Sequence, residues 1–222
     1  MRYLIPVLLG AVGMMMAFPW FGASGAGRDM AAATLPTVPK GMEEATFAGG
    51  CFWGVEQAFK HVPGVLSTTV GYTGGTTDHP TYADVCTETT HHAEAVLVVF
   101  NPSQVSYAEL LDAFWSCHDP TTKDRQGPDV GDQYRSAIFT HSDEQARLAA
   151  SSLKEVDAQK VFDDKIVTEI EPAKAFWPAE GYHQDYATKQ GVVCHTQGPA
   201  KVKTQLGVIA GAARKALPAL PR

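Results

Sequence analysis

The chain has 222 residues, enough for one sizeable core and a small extension, and its 45% apolar and 19% charged content is that of a globular protein. Its net charge of −6 argues against general nucleic-acid binding. Arg2 opens an apolar stretch from Leu4 to Phe21 that ends in the small residues Ser24-Gly25-Ala26. Residues 1–26 therefore read as a secretory signal, with an uncleaved N-terminal anchor as the alternative. An exported protein is expected, periplasmic or secreted, touching a membrane only through that segment if it stays uncleaved. Residues 27–42, with Pro36 and Pro39, read as a linker.

A short strand, Ala45 to Ala48, leads into Gly49-Gly50-Cys51-Phe52-Trp53-Gly54. An amphipathic helix follows, Val55 to His61, with Val55, Ala58 and Phe59 at i, i+3 and i+4. Val65 to Tyr72, rich in Thr and Val, reads as a strand, and Gly74-Gly75 opens a loop through Pro80. Ala93 to Phe100 is the strongest strand, and its unbroken apolar run predicts a central position covered on both faces. Ser106-Tyr107-Ala108-Glu109 fits a capping box for a helix to about Cys117. Residues 118–135 read as a long polar loop, a kind that often carries function. Ala137 to Phe139 is a short strand, Ser142 caps a helix to about Phe162, and Ile166 to Ile170 is another strand. Ala179 to Lys189 reads as a helix with Tyr182 and Tyr186 on one face. The tail 199–222 is basic and reads as a solvated extension. Together these elements predict one α+β domain over 43–198, a mixed β-sheet with helices packed on it in a two-layer, ferredoxin-like core.

Cys51 stands where a strand turns into a helix. Two glycines permit a tight turn there, and the unpaired N–H groups of a helix N-terminus favour thiolate over thiol. Phe52 and Trp53 offer an apolar wall for a small group. The other reading is a buried cysteine in a glycine-rich turn. Glu94, at the mouth of the most apolar strand, would be desolvated and suited to donate a proton, unless it leaves the sheet edge for solvent. Tyr82 and Tyr134 lie in glycine-rich surroundings where a phenol O–H can meet a ligand. Asp129 sits in a Gly-Pro-Asp-Val-Gly turn, and His183 and Asp185 are expected on the surface. The four cysteines, Cys51, Cys86, Cys117 and Cys194, include no C-x-x-C pair. Cys86 and Cys117 read as buried thiols. Adjacent pairs such as His91-His92 and Cys117-His118 rarely aim at one ion, so no metal and no cofactor is expected. All six methionines lie at or before Met42, which suits a domain working among oxidants.

The motif Gly50-Cys51-Phe52-Trp53-Gly54 resembles the active site of the A-class peptide methionine sulfoxide reductases. Further segments similar to that family follow in its order: Gly71-Tyr72-Thr73-Gly74-Gly75 with Pro80-Thr81-Tyr82, then His92-Ala93-Glu94-Ala95-Val96. Next come Phe114-Trp115 with His118-Asp119-Pro120-Thr121, then Gly131-Asp132-Gln133-Tyr134-Arg135-Ser136 and Tyr182-His183-Gln184-Asp185-Tyr186. The resemblance implies that the Cys51 thiolate attacks the sulfoxide sulfur and that Glu94 protonates the leaving oxygen, hydrogen-bonded by Tyr82 and Tyr134. It implies that Phe52 and Trp53 hold the S-methyl group, with Asp129 shaping the substrate side. It also implies a Cys51 sulfenic acid resolved by Cys194 and a disulfide reduced by a thioredoxin-like protein. Substrates would be oxidised proteins and free methionine S-sulfoxide, handled by a monomer. The sequence departs from the family pattern at Thr90-His91, where Thr-Gly is usual, and before Cys194, where the stretch is Lys189-Gln190-Gly191-Val192-Val193. Two other classes share some of these features. A thiol peroxidase or other cysteine enzyme would need Cys51 but not Glu94, and a disulfide-stabilised secreted binding domain would pair Cys51 permanently.

Overall fold

The computed structural model describes residues 31–191 together with Thr204 and Gly207. The proposed signal, Cys194 and most of the tail lie outside the described residues. Strands β1 (Glu43–Gly49), β2 (Val65–Thr73), β3 (Ala93–Phe100) and β6 (Ser136–Thr140) form the centre of a six-stranded sheet. They are joined there by β7 (Glu169–Pro172) and β8 (Trp177–Pro178), in the order β7-β6-β1-β3-β2-β8. Helix α1 (Phe52–Lys60) connects β1 to β2, and α3 (Tyr107–Cys117) connects β3 to β6. β3 pairs antiparallel with β1 and β2, and β1 antiparallel with β6. This is the expected ferredoxin-like arrangement, two interleaved β-α-β units in an α+β domain. A short helix α2 (Tyr82–Val85), a hairpin of β4 (Arg125–Gln126) and β5 (Asp129–Val130), a 3-10 turn (Asp132–Tyr134), α4 (Asp143–Gln159) and α5 (Tyr186–Gln190) complete it.

The sheet alternates as its pleat requires. Phe47, Val96, Val98 and Phe100 face the helices, where Phe47 stacks on Phe59 at 4.7 Å and on Phe114 at 5.4 Å. Ala48, Ala93, Ala95, Ala137 and Phe139 face the other way and are covered by Ala173 and Phe176. β3 is therefore buried on both sides, as its composition predicts. Ser106 and Glu109 form the expected capping box at the start of α3, and Ser142 caps α4.

Four expectations are corrected. The strand expected at Ile166–Ile170 begins three residues later, because parallel pairing with β6 matches Ala137 to Glu169, while Ile166 is buried without pairing. The helix expected from Ala179 exists only as α5. Before it, Gln184 donates its amide to the carbonyls of Val70 and Ala179 and accepts from the Val70 N–H, while Glu56 takes the Asp185 N–H. Side chains thus replace the helical backbone ladder over 179–185. The linker is docked over part of its length: Ala33 donates to Ala179 O and Gly181 donates to Ala31 O, both at 2.9 Å. Nor is the tail wholly solvated, since Thr204 is buried and donates its N–H and its hydroxyl to Asp112 on α3.

Candidate active site

Cys51 is the N-cap of α1 and is half-buried. Its carbonyl accepts from the N–H of Gly54 at 3.1 Å, so its side chain is presented at the first turn of the helix. The turn needs glycine at position 50 for two reasons. Gly50 has φ +95°, and a Cβ there would lie 2.5 Å from Cγ of Gln126. Gln126 closes the floor of the turn from β4, bonded through its amide to both N–H and C=O of Asp119. Nothing local in the sequence marks Gln126 for this role.

Glu94 lies on the helix-facing side of β3, two residues before Val96. It is only 2% exposed, and its Oε2 accepts the Phe52 N–H at 3.0 Å. The candidate acid therefore touches the first helical residue after Cys51. Burial drives its pKa up to about 8. The Phe52 N–H opposes that shift, and the Asp129 carboxylate adds to it. A carboxyl group in this state keeps its proton at neutral pH.

Both candidate phenols lie within electrostatic reach of Glu94. Tyr82 opens α2, whose N-cap Thr81 forms a capping box with Asp84, and Tyr134 ends the 3-10 turn. Burial raises the pKa of each, and the charge of Glu94 raises both further. Tyr134 also feels Asp129 and Cys51, which puts the hairpin carboxylate and the thiol within electrostatic reach of one phenol. Both phenols remain O–H donors. Cys86 is exposed rather than buried, because it caps the short α2 at the surface, and it hydrogen-bonds with the Tyr82 phenol. Cys117 is buried as expected, and burial pushes its pKa up to about 12.

The aromatic wall is braced from the 179–186 segment. Trp53 stacks on Tyr186 at 3.8 Å and donates its indole N–H to Nδ1 of His183 at 3.2 Å. Phe52 is buried, its ring 5.1 Å from that of His183. His183 was expected at the surface but is 2% exposed, held inside by the rings of Phe52, Trp53 and Tyr82. With Nδ1 accepting, Nε2 carries the hydrogen. It finds no partner within hydrogen-bond distance among the described residues, and Glu180 Oε2 lies 4.0 Å away. Burial lowers the His183 pKa, with Glu180 opposing. Glu180 accepts from the Tyr72 hydroxyl at 3.0 Å and from the Tyr82 N–H at 2.9 Å. Glu56 holds the turn before Tyr186 by accepting from the Asp185 N–H and the Thr68 hydroxyl, and its buried carboxyl pKa is raised. Sequence reasoning missed Glu56, although one signal could have found it: a charged residue between Val55 and Phe59, in the apolar stripe of an amphipathic helix. The histidines flagged beside possible ligands are occupied. His118 donates to Phe114 O and accepts from Ser136, and His92 accepts from the Gly75 N–H and donates to Thr77 O.

A half-buried cysteine at a helix N-terminus, a buried carboxyl group held on the next N–H and two phenols within electrostatic reach of that carboxyl suit reduction of a polar S=O or O–O bond. The profile of one family, described as peptide methionine sulfoxide reductase, matches residues 43–208. The chain belongs to that family. It is 58% identical over 152 residues to peptide methionine sulfoxide reductase MsrA of Methanosarcina mazei, covering 68% of this chain and 72% of the relative. To peptide methionine sulfoxide reductase A2 of Arabidopsis thaliana it is 55% identical over 161 residues, covering 72% and 73%. Among solved structures it resembles reduced Mxr1 from Saccharomyces cerevisiae, with TM-score 0.67 and 37% identity over 79% of this chain and 97% of that one. Mxr1 in complex with Trx2 is also similar, with TM-score 0.51 and 28% identity over 75% and 96%. This chain is thus a reductase of methionine sulfoxide, and neither a thiol peroxidase nor a binding domain.

Proposed function

We propose that the enzyme reduces methionine S-sulfoxide, free and in proteins, through Cys51. The thiolate attacks the sulfoxide sulfur while Glu94 gives its proton to the oxygen and Tyr82 and Tyr134 donate hydrogen bonds to it. Methionine leaves, and the oxygen remains on Cys51 as a sulfenic acid. Phe52 and Trp53 seat the S-methyl group, and Asp129 shapes the opposite side. Cys194 then attacks the sulfenic sulfur, releasing water and forming a Cys51–Cys194 disulfide. A thioredoxin-type dithiol reduces that bond by exchange, as the Mxr1–Trx2 complex supports for a relative. The observation that carries this reading is the buried Glu94 carboxyl anchored on the N–H next to Cys51. Export by the segment 1–26 and a monomeric state complete the proposal.

One experiment tests the whole sequence. Cys51→Ser should have no turnover with dithiothreitol or thioredoxin. Cys194→Ser should keep the first turnover and its dithiothreitol-supported cycling, and lose thioredoxin-supported cycling. Peptide mapping after one turnover should join Cys51 to Cys194. A map joining Cys51 to the exposed Cys86 would move the resolving role there.

A further inference from the structure

Next to Tyr82 in the chain, and lined by Pro80 and Thr81, lies a cavity of about 400 Å³. Trp177, Pro178, His79 and Pro80 form its apolar walls, with the His79 ring 4.0 Å from that of Trp177. Its outer wall is the docked linker, Ala32, Ala33 and Leu35, held by the paired backbone of 31–33 and 179–181. Leu35 is 48% exposed at the edge, a large apolar side chain with nothing over half of it.

We infer that this cavity is a subsite for an apolar side chain near the oxidised methionine of a polypeptide substrate. The proposal rests on the sulfoxide-reductase reading of the Cys51 site. Its first support is continuity. Thr81 and Glu180 line the cavity, Glu180 holds the Tyr82 N–H, and the Tyr82 ring lies 4.6 Å from that of His183, which accepts the Trp53 indole N–H. Tyr82 thus directly follows a residue of the cavity wall and packs against the histidine that braces the aromatic wall beside Cys51. The second support is chemistry. Each oxygen of Glu180, the acid in the wall, already accepts a hydrogen bond, from Tyr72 on one side and Tyr82 on the other. The Thr81 hydroxyl is engaged by Asp84, the remaining lining is aromatic and aliphatic, and the volume, at the low end of the roughly 300–1,000 Å³ of ligand pockets, leaves room for a leucine- or phenylalanine-like group.

The test compares acetylated hexapeptides holding one methionine S-sulfoxide, with Phe or Ser two or three residues away on either side. N-acetylmethionine S-sulfoxide, which cannot reach the cavity, is the internal reference. The wild-type enzyme should prefer Phe over Ser by roughly tenfold in kcat/KM on one side of the sulfoxide only. Leu35→Glu places a carboxylate at the mouth, and Ala32→Phe fills the space. Each should bring that ratio near one and leave turnover of the reference unchanged. A wild type that turns over the reference but shows no preference overturns the subsite, whether the cavity stays empty or residues 4–21 of the chain fill it. So does a preference that survives both substitutions. A wild type inactive on the reference overturns the reductase reading itself, and the subsite with it.

Discussion

From Val96 to Phe100, β3 is packed in hydrocarbon on both faces. Two residues earlier the same strand carries a buried carboxyl group on the face it shares with Val96, Val98 and Phe100. The apolar body of the sheet and its polar mouth are thus continuous, and they differ in what burial does. Around Phe47, Phe59 and Phe114 burial removes apolar surface from water and stabilises the fold. Around Glu94, Glu56 and His183 the same burial disfavours the charged forms, and at Glu94 it holds the proton up to about pH 8. The apolar body is what allows the mouth to hold groups that oppose folding at neutral pH.

Glu94→Gln is the largest test of that contrast. It should slow sulfoxide reduction by roughly 10²–10⁴-fold, the usual worth of general acid catalysis. The wild-type rate should fall as pH rises through about 8, where Glu94 loses its proton, and the variant should lack that limb. The variant's stability should move opposite to its activity. Between the ordinary value of 4.5 and about 8 the native state holds a proton that the unfolded chain has lost. Wild-type stability therefore declines across that window. Thermal melts of Glu94→Gln should match wild type near pH 4 and exceed it near pH 7.5. A variant less stable than wild type at both pH values would mean that Glu94 supports the fold rather than opposing it.

Phe47→Ala tests the body. A fully buried phenylalanine at the centre of a ring stack should cost about 3–5 kcal/mol on truncation. Denaturant unfolding would show this, while kcat per folded molecule and the limb near pH 8 should persist. Loss of that limb would mean that body and mouth are not separable.

What could be read from sequence divides along the same line. β3, the capped helices and the ferredoxin-like order are written in local signals: an unbroken apolar run, a capping box, 3.6-residue spacing. Cys51 and Glu94 were legible for a related reason, because each stands at the boundary of an element whose type is evident. His183, Glu180 and Gln126 were not. Each acts through a partner far away in sequence, such as Trp53 for His183 and Tyr82 for Glu180. Tyr182 and Tyr186 had helical spacing, yet the side chains of Gln184 and Glu56 hold that backbone out of a helix. Propensity carries no information about bonds of that kind.

Within the mouth, His183→Ala removes the acceptor that orients the Trp53 indole. One such hydrogen bond contributes about 0.5–1.5 kcal/mol, so KM for the sulfoxide should rise roughly two- to tenfold. The Glu94 limb should stay where it is. A shift in that limb instead would show that His183 acts on the acid rather than on the wall.

The smallest effect belongs to His91, at the rim of the mouth. Its backbone has φ +55°, a conformation that suits glycine, and its Nδ1 lies 2.8 Å from Oδ2 of Asp132. Asp132 opens the 3-10 turn that ends in Tyr134, and its carbonyl also receives the Arg135 guanidinium at 2.9 Å. His91→Gly relieves the backbone and loses the pair at once. Left-handed strain in a non-glycine residue is about 1 kcal/mol, and an exposed pair is worth about 0.2–1 kcal/mol. The two nearly cancel, so the melting temperature should hold or rise slightly. The cancellation does not extend to Tyr134, because only the pair, and not the strain, reaches the turn that carries it. Reduction should therefore slow about two- to threefold with stability intact, and His91→Asn, if its shorter amide reaches Asp132, should recover part of the loss. Unchanged kcat in His91→Gly would show that Arg135 and the backbone hold Tyr134 unaided, and the rim would then belong with the inert surface rather than with the mouth.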